Sequence, residues 1–109
     1  MLLIESMSIQ QTLQSEIQES KRWVDKAGGV YKRDLTKRIE LVNWVLEKMK
    51  NPEIKICELM ESKMNEVILE INQTHDIFEA DKLHSELGVL DWIVYQVCKD
   101  QQKKLTINL

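Results

Sequence analysis

Apolar residues recur at helical spacing along most of the chain. Leu35, Ile39, Val42, Leu46 and Met49 follow one another in steps of 4, 3, 4 and 3. Cys57, Met60, Met64, Val67 and Ile71 step by 3, 4, 3 and 4, and Leu83, Leu87, Leu90, Val94 and Val97 repeat the first pattern. The N-terminal stretch is thinner, with Ile9, Leu13, Ile17 and Val24. At about 100° per residue such spacing gathers each set on one face of an amphipathic helix.

Local signals predict where the helices begin and end. Ser8-Ile9-Gln10-Gln11 reads as a weak capping box, and Gly28-Gly29 follows a segment ending in Lys21, Arg22 and Lys26, cations that suit a helix C-terminus. Asn51-Pro52-Glu53 reads as cap, first helical position and acidic first turn. Asp76-Ile77-Phe78-Glu79 reads as a second box, with Asp76 as cap and Glu79 reaching back. The prediction is four helices at about 8–27, 33–50, 52–73 and 77–103 with short connections. Short connections make sequential helices antiparallel neighbours, and heptad-like stripes suit packing at about 20°. The expected fold is all-α, an antiparallel up-down four-helix bundle forming a single helical domain over residues 1–109.

The pattern repeats. Sliding by 48 positions lays Leu35, Ile39, Leu41, Val42, Trp44, Val45, Leu46 and Met49 on Leu83, Leu87, Val89, Leu90, Trp92, Ile93, Val94 and Val97. A slide of 47 lays Met7, Ile9, Leu13, Ile17 and Val24 on Ile54, Ile56, Met60, Met64 and Ile71. Two accounts fit: any two heptad helices align in this way, or the chain is a duplicated helical hairpin with approximate two-fold symmetry.

Composition narrows the class. With 109 residues, 43% apolar and 30% charged, neither a disordered tail nor a membrane protein fits. Three glycines, one proline and six aromatics are too few for a sandwich or barrel, and no Gly-rich nucleotide loop can be assembled from them. The start, Met1-Leu2-Leu3-Ile4-Glu5-Ser6, lacks the basic and cleavage regions of a signal peptide, and no apolar stretch approaches membrane-spanning length. Cys57 and Cys98 are too few for a secreted disulfide framework, so reduced thiols and a cytoplasmic location are expected. The two should nevertheless lie within about a turn of each other in an antiparallel hairpin, close enough to crosslink if oxidised.

Trp44 and Trp92 lie about 160° from Val42 and Leu90 on their helices, away from the stripe centres. Leu41 and Val89 share that flank, and Phe78 extends it. Gly88 sits beside it, and a glycine inside a helix costs about 1 kcal/mol relative to alanine, which suggests a close approach by another backbone or a ligand. The candidate partner-binding set is therefore Leu41, Trp44, Phe78, Gly88, Val89 and Trp92. Two apolar faces on one helix fit either a central helix with neighbours on both sides or a surface for a partner, including a second copy in a homodimer.

Charge is segregated beneath a net of −3. Residues 21–50 carry nine basic and four acidic residues, whereas 53–91 carry three basic and ten acidic. Lys21, Arg22, Trp23, Tyr31, Lys32, Arg33 and Arg38 form a basic patch interleaved with aromatics, the composition of a phosphate or single-strand contact. Asp25 and Asp34 dilute it, so a solvated face, or one meeting the acidic half of another copy, is the preferred reading.

Carboxylates three apart on a bundle helix can converge on a divalent cation. Glu58-x-x-Glu61 resembles the first half-motif of the all-α nucleoside-triphosphate pyrophosphatases, which implies metal-dependent hydrolysis. The family's following Glu-x-x-Asp is not matched: Asp76-x-x-Glu79 has the reverse order, and Glu86 and Asp91 are five apart. Glu86 points into the stripe of the last helix, where a carboxylate needs a partner, a metal or a route to water. His75 and His84 read as surface residues, and no cofactor or metal ligand set is implied. The leading expectation is a small cytoplasmic interaction protein (inhibitor, adaptor or regulatory subunit, of the kind phages and mobile elements encode). It would bind a protein partner rather than catalyse. Nucleic-acid or phosphate binding by the basic segment, and pyrophosphatase-like hydrolysis, are the alternatives.

Overall fold

The computed structural model describes the backbone of residues 2–98 and the side chains of residues 9–98. Four helices make up the regular structure of these residues: α1 (Leu2–Val24), α2 (Gly29–Met49), α3 (Ile56–Gln73) and α4 (Ile77–Val97). The all-α class and the number and order of helices are as the apolar spacing predicts. The chain divides into two compact units, Met1–Ile54 and Lys55–Leu109, and each is a helical hairpin. α1 packs on α2 in the first, and α3 packs on α4 in the second.

Helix ends differ from expectation in instructive ways. α1 begins at Leu2 and not near Ser8, because nothing between Leu2 and Met7 breaks a helix and Ser8 falls inside it. α2 begins at Gly29, four residues before the predicted start. Gly28 is its cap in extended conformation and Gly29 has φ 57°, so the glycine pair turns the corner and starts the helix together. The Asn51-Pro52-Glu53 signal is real but closes a turn. Ile54 N–H donates to Asn51 O at 3.2 Å and Glu53 N–H to Asn51 Oδ1 at 3.0 Å. Asn at the first and Pro at the second position suit a β-turn as well as a helix start. α3 therefore begins at Ile56, capped only by the backbone of Lys55. Asp76 does cap α4: Phe78 N–H donates to its Oδ1 at 2.9 Å. α4 ends at Val97, and residues 99–103 of the predicted helix lie outside the described residues.

The buried positions repeat between the hairpins. Leu13 and Met60 are buried at matched positions of α1 and α3, as are Ser20 and Val67. On α2 and α4 the matched buried pairs are Leu41 and Val89, Val42 and Leu90, and Val45 and Ile93. The match is partial: Ile17 is buried where Met64 is half-buried, and Leu83 and Glu86 are buried where Leu35 and Arg38 are half-buried. A duplicated hairpin and two unrelated amphipathic hairpins in the same register both give such a pattern.

Burial also corrects the centre of the stripe. Leu35, Ile39, Leu46 and Met49 are half-buried, and the buried residues of α2 are Leu41, Val42 and Val45. On α4, Leu87 and Val94 are half-buried while Leu83, Glu86, Val89, Leu90 and Ile93 are buried. The buried face is turned by about 50° towards the Leu41 and Val89 flank. Leu87 and Val94 are displaced to its edge for that reason.

In the second unit Cys57 and Cys98 form a disulfide, with Cα atoms 5.9 Å apart. The expectation of reduced thiols is corrected; the expectation that the antiparallel hairpin brings the two together holds. The bond joins the first turn of α3 to the residue capping α4, and so closes the open end of the hairpin.

Candidate interaction surface

The corner between α1 and α2 combines cations with exposed apolar groups. Trp23 is 45% exposed, Val30 57% and Tyr31 59%. Trp23 is held in place. Its indole N–H donates to Glu19 Oε1 at 2.9 Å, and Lys26 Nζ lies 5.6 Å from the ring centroid. Such a cation–π contact and hydrogen bond restrict the rotamer of an exposed aromatic, which lowers the entropy lost on docking. Lys21, Lys26 and Lys32 are exposed around it.

The arginines of the basic segment are engaged by carboxylates. Arg22 pairs with Glu19 at 3.6 Å and Arg33 with Asp34 at 2.9 Å. Arg38 donates to Glu16 Oε1 at 2.8 Å, from α2 to α1. Of the seven residues the sequence singles out as a basic patch, Lys21, Arg22, Trp23, Tyr31 and Lys32 are exposed, while Arg33 and Arg38 are half-buried.

The corner between α3 and α4 has the opposite sign and a larger apolar display. Ile77 and Phe78, in the first turn of α4, are each 82% exposed. Ile68 and Leu69, in the last part of α3, are 41% and 57% exposed. Glu66, Glu70, Asp76, Glu79 and Asp81 are all exposed around this corner. The Asp76 cap fixes the backbone that carries Ile77 and Phe78, and Asp76 N–H donates to Thr74 Oγ1 at 3.3 Å. Water-facing apolar side chains on a pinned helix start are disfavoured by roughly 25 cal/mol per Å² until something covers them.

The tryptophan flank is less open than the sequence suggests. Leu41 and Val89 are buried, and Trp44 and Trp92 are half-buried. Within that set Phe78 is the large side chain that faces solvent fully. Gly88 is exposed, and nothing lies within 4 Å of where its Cβ would stand. Within this chain no described neighbour excludes a side chain at Gly88.

Among the carboxylates, Glu58 and Glu61 are exposed, and Asp76 is occupied as a helix cap. No group of three or more His, Cys, Asp or Glu among the described residues is placed to hold a metal ion. Glu86 is buried, 8% exposed, and no side-chain nitrogen or oxygen fully shut off from solvent among the described residues lacks a partner. His75 and His84 are exposed.

Sequence reasoning missed Val30, Ile68, Leu69 and Ile77 as surface residues. The available signal was register: all four fall outside the stripes, beside the two corners. No described helix is long and apolar enough to cross a membrane. Comparison with protein-family models, curated proteins and solved structures finds no match.

Proposed function

We propose that this chain is a protein-interaction module, an adaptor, inhibitor or regulatory subunit that acts by binding through its hairpin corners. The observation that carries this reading is the exposure of Ile77 and Phe78, 82% each, on a helix start held by the Asp76 cap. Large apolar side chains presented on fixed backbone, with carboxylates around them, have the anatomy of an interface: an apolar centre and a polar rim. Trp44 and Trp92, half-buried, would serve at most as the border of such a surface.

The test compares the immobilised chain with an Ile77→Ser/Phe78→Ser variant in an extract of the native host. Because both side chains are solvent-exposed, the variant should keep its helical circular dichroism and melting temperature. A protein retained by the wild type and lost by the variant supports the reading. Equal retention by both, or none by either, overturns it.

A further inference from the structure

The two corners complement each other in sign as well as in apolar character. Residues 19–34 hold Lys21, Arg22, Lys26, Lys32 and Arg33 against Glu19, Asp25 and Asp34, a net of +2, with Arg22 and Arg33 paired to Glu19 and Asp34. Residues 66–81 hold Glu66, Glu70, Asp76, Glu79 and Asp81 with no lysine or arginine, a net of −5. Trp23, Val30 and Tyr31 stand among the cations, and Ile68, Leu69, Ile77 and Phe78 among the carboxylates, all exposed in the single chain.

From this we infer that the occupant of the α3–α4 corner is the α1–α2 corner of a second copy of this chain. The inference rests on the reading of the α3–α4 corner as a docking surface and adds the identity of what docks. A corner meeting its own kind would set like net charge against like, which opposes association. A basic corner against an acidic one covers apolar groups on both sides while setting opposite net charges together. The contact joins two different surfaces, so it is heterologous, and each added copy presents a fresh corner: the product is a ring or a growing chain of subunits, not a closed two-fold pair.

The experiment is sedimentation equilibrium of the whole oxidised chain over a range of concentrations. The mass should rise above the 12.9 kDa of one copy and fall back as salt is raised from about 50 mM to about 500 mM, because exposed charges are screened over a shorter distance. Phe78→Ser should weaken association about tenfold or more, with helical dichroism unchanged. Lys26→Glu/Lys32→Glu and Glu70→Lys/Glu79→Lys should each be monomeric alone, since the first reverses the net charge of its corner and the second nearly removes it. An equal mixture of the two should associate again, because each variant keeps the corner that the other has lost.

A wild type that is monomeric throughout overturns the inference, as does association that survives both sets of charge reversals. Saturable binding of a single-stranded oligonucleotide to a monomeric chain, lost with Lys26→Glu/Lys32→Glu, overturns it in favour of a nucleic-acid surface. A monomeric chain that still retains a foreign protein through Ile77 and Phe78 overturns self-association and leaves the interaction reading standing. Self-association with no foreign protein retained supports the inference and removes the adaptor reading.

Discussion

Arg38 of α2 donates to Glu16 of α1 at 2.8 Å, and the matched positions of the second hairpin carry the opposite signs, Lys63 on α3 and Glu86 on α4. The first pair is partly shielded, with side chains 32% and 26% exposed. Glu86 is buried, and Lys63 lies 3.9 Å from Glu66 on its own helix. One register position is thus charged in both hairpins, with the acid on the first helix in one and on the second helix in the other.

Breaking the first pair should have a measurable but modest cost. Arg38→Ala should destabilise by about 1 kcal/mol, between an exposed pair and a fully buried one. A double-mutant cycle with Glu16→Ala, read by urea unfolding at low salt, should return a coupling of about that size. The exchanged pair Glu16→Lys/Arg38→Glu should recover most of it, since the two positions again carry opposite charges.

The Cys57–Cys98 bond closes a loop with a sequence separation of 41. The chain-entropy model assigns such a loop about 4 kcal/mol at 25 °C. Native protein purified without reductant should show no reactive thiol, and reduction should lower the denaturant midpoint accordingly. The Cys57→Ser/Cys98→Ser variant should match the reduced wild type and respond no further to reductant.

Two glycines should respond in opposite directions to alanine. Gly88 lies on exposed helix with nothing near its missing Cβ, so Gly88→Ala should stabilise by about 0.5–1 kcal/mol. Gly29 is equally uncrowded but has φ +57°, so Gly29→Ala should destabilise by about 1 kcal/mol. Thermal unfolding of the two variants separates room for a side chain from backbone conformation.

Leu13 and Met60 are both fully buried at matched positions. Leu13→Ala and Met60→Ala should each cost about 3 kcal/mol, within the usual range for removing a large core side chain. Chemical denaturation should show costs within about 1 kcal/mol of each other if the repeated hairpins bury these positions alike.

Local chemistry makes much of this chain legible from the order of its residues. A helix records its amphipathic period within a few turns, so the four stripes, their order and the near meeting of Cys57 with Cys98 can be read from spacing. Asp76 also acts locally, two residues from the amide it accepts, and is readable for that reason. Asn51-Pro52 is ambiguous because the same residue preferences serve a turn and a helix start. Periodicity names a face, but only to within a fraction of a turn. Packing decided which flank of α2 sank deepest: Leu41, Val42 and Val45 became buried while Ile39 and Leu46 stayed at the edge. The same rotation left Trp44 and Trp92 half-covered, and it was the tertiary structure that showed Ile77 and Phe78 facing water. Exposure is a property of the neighbours a residue acquires, and spacing along one helix carries no record of them.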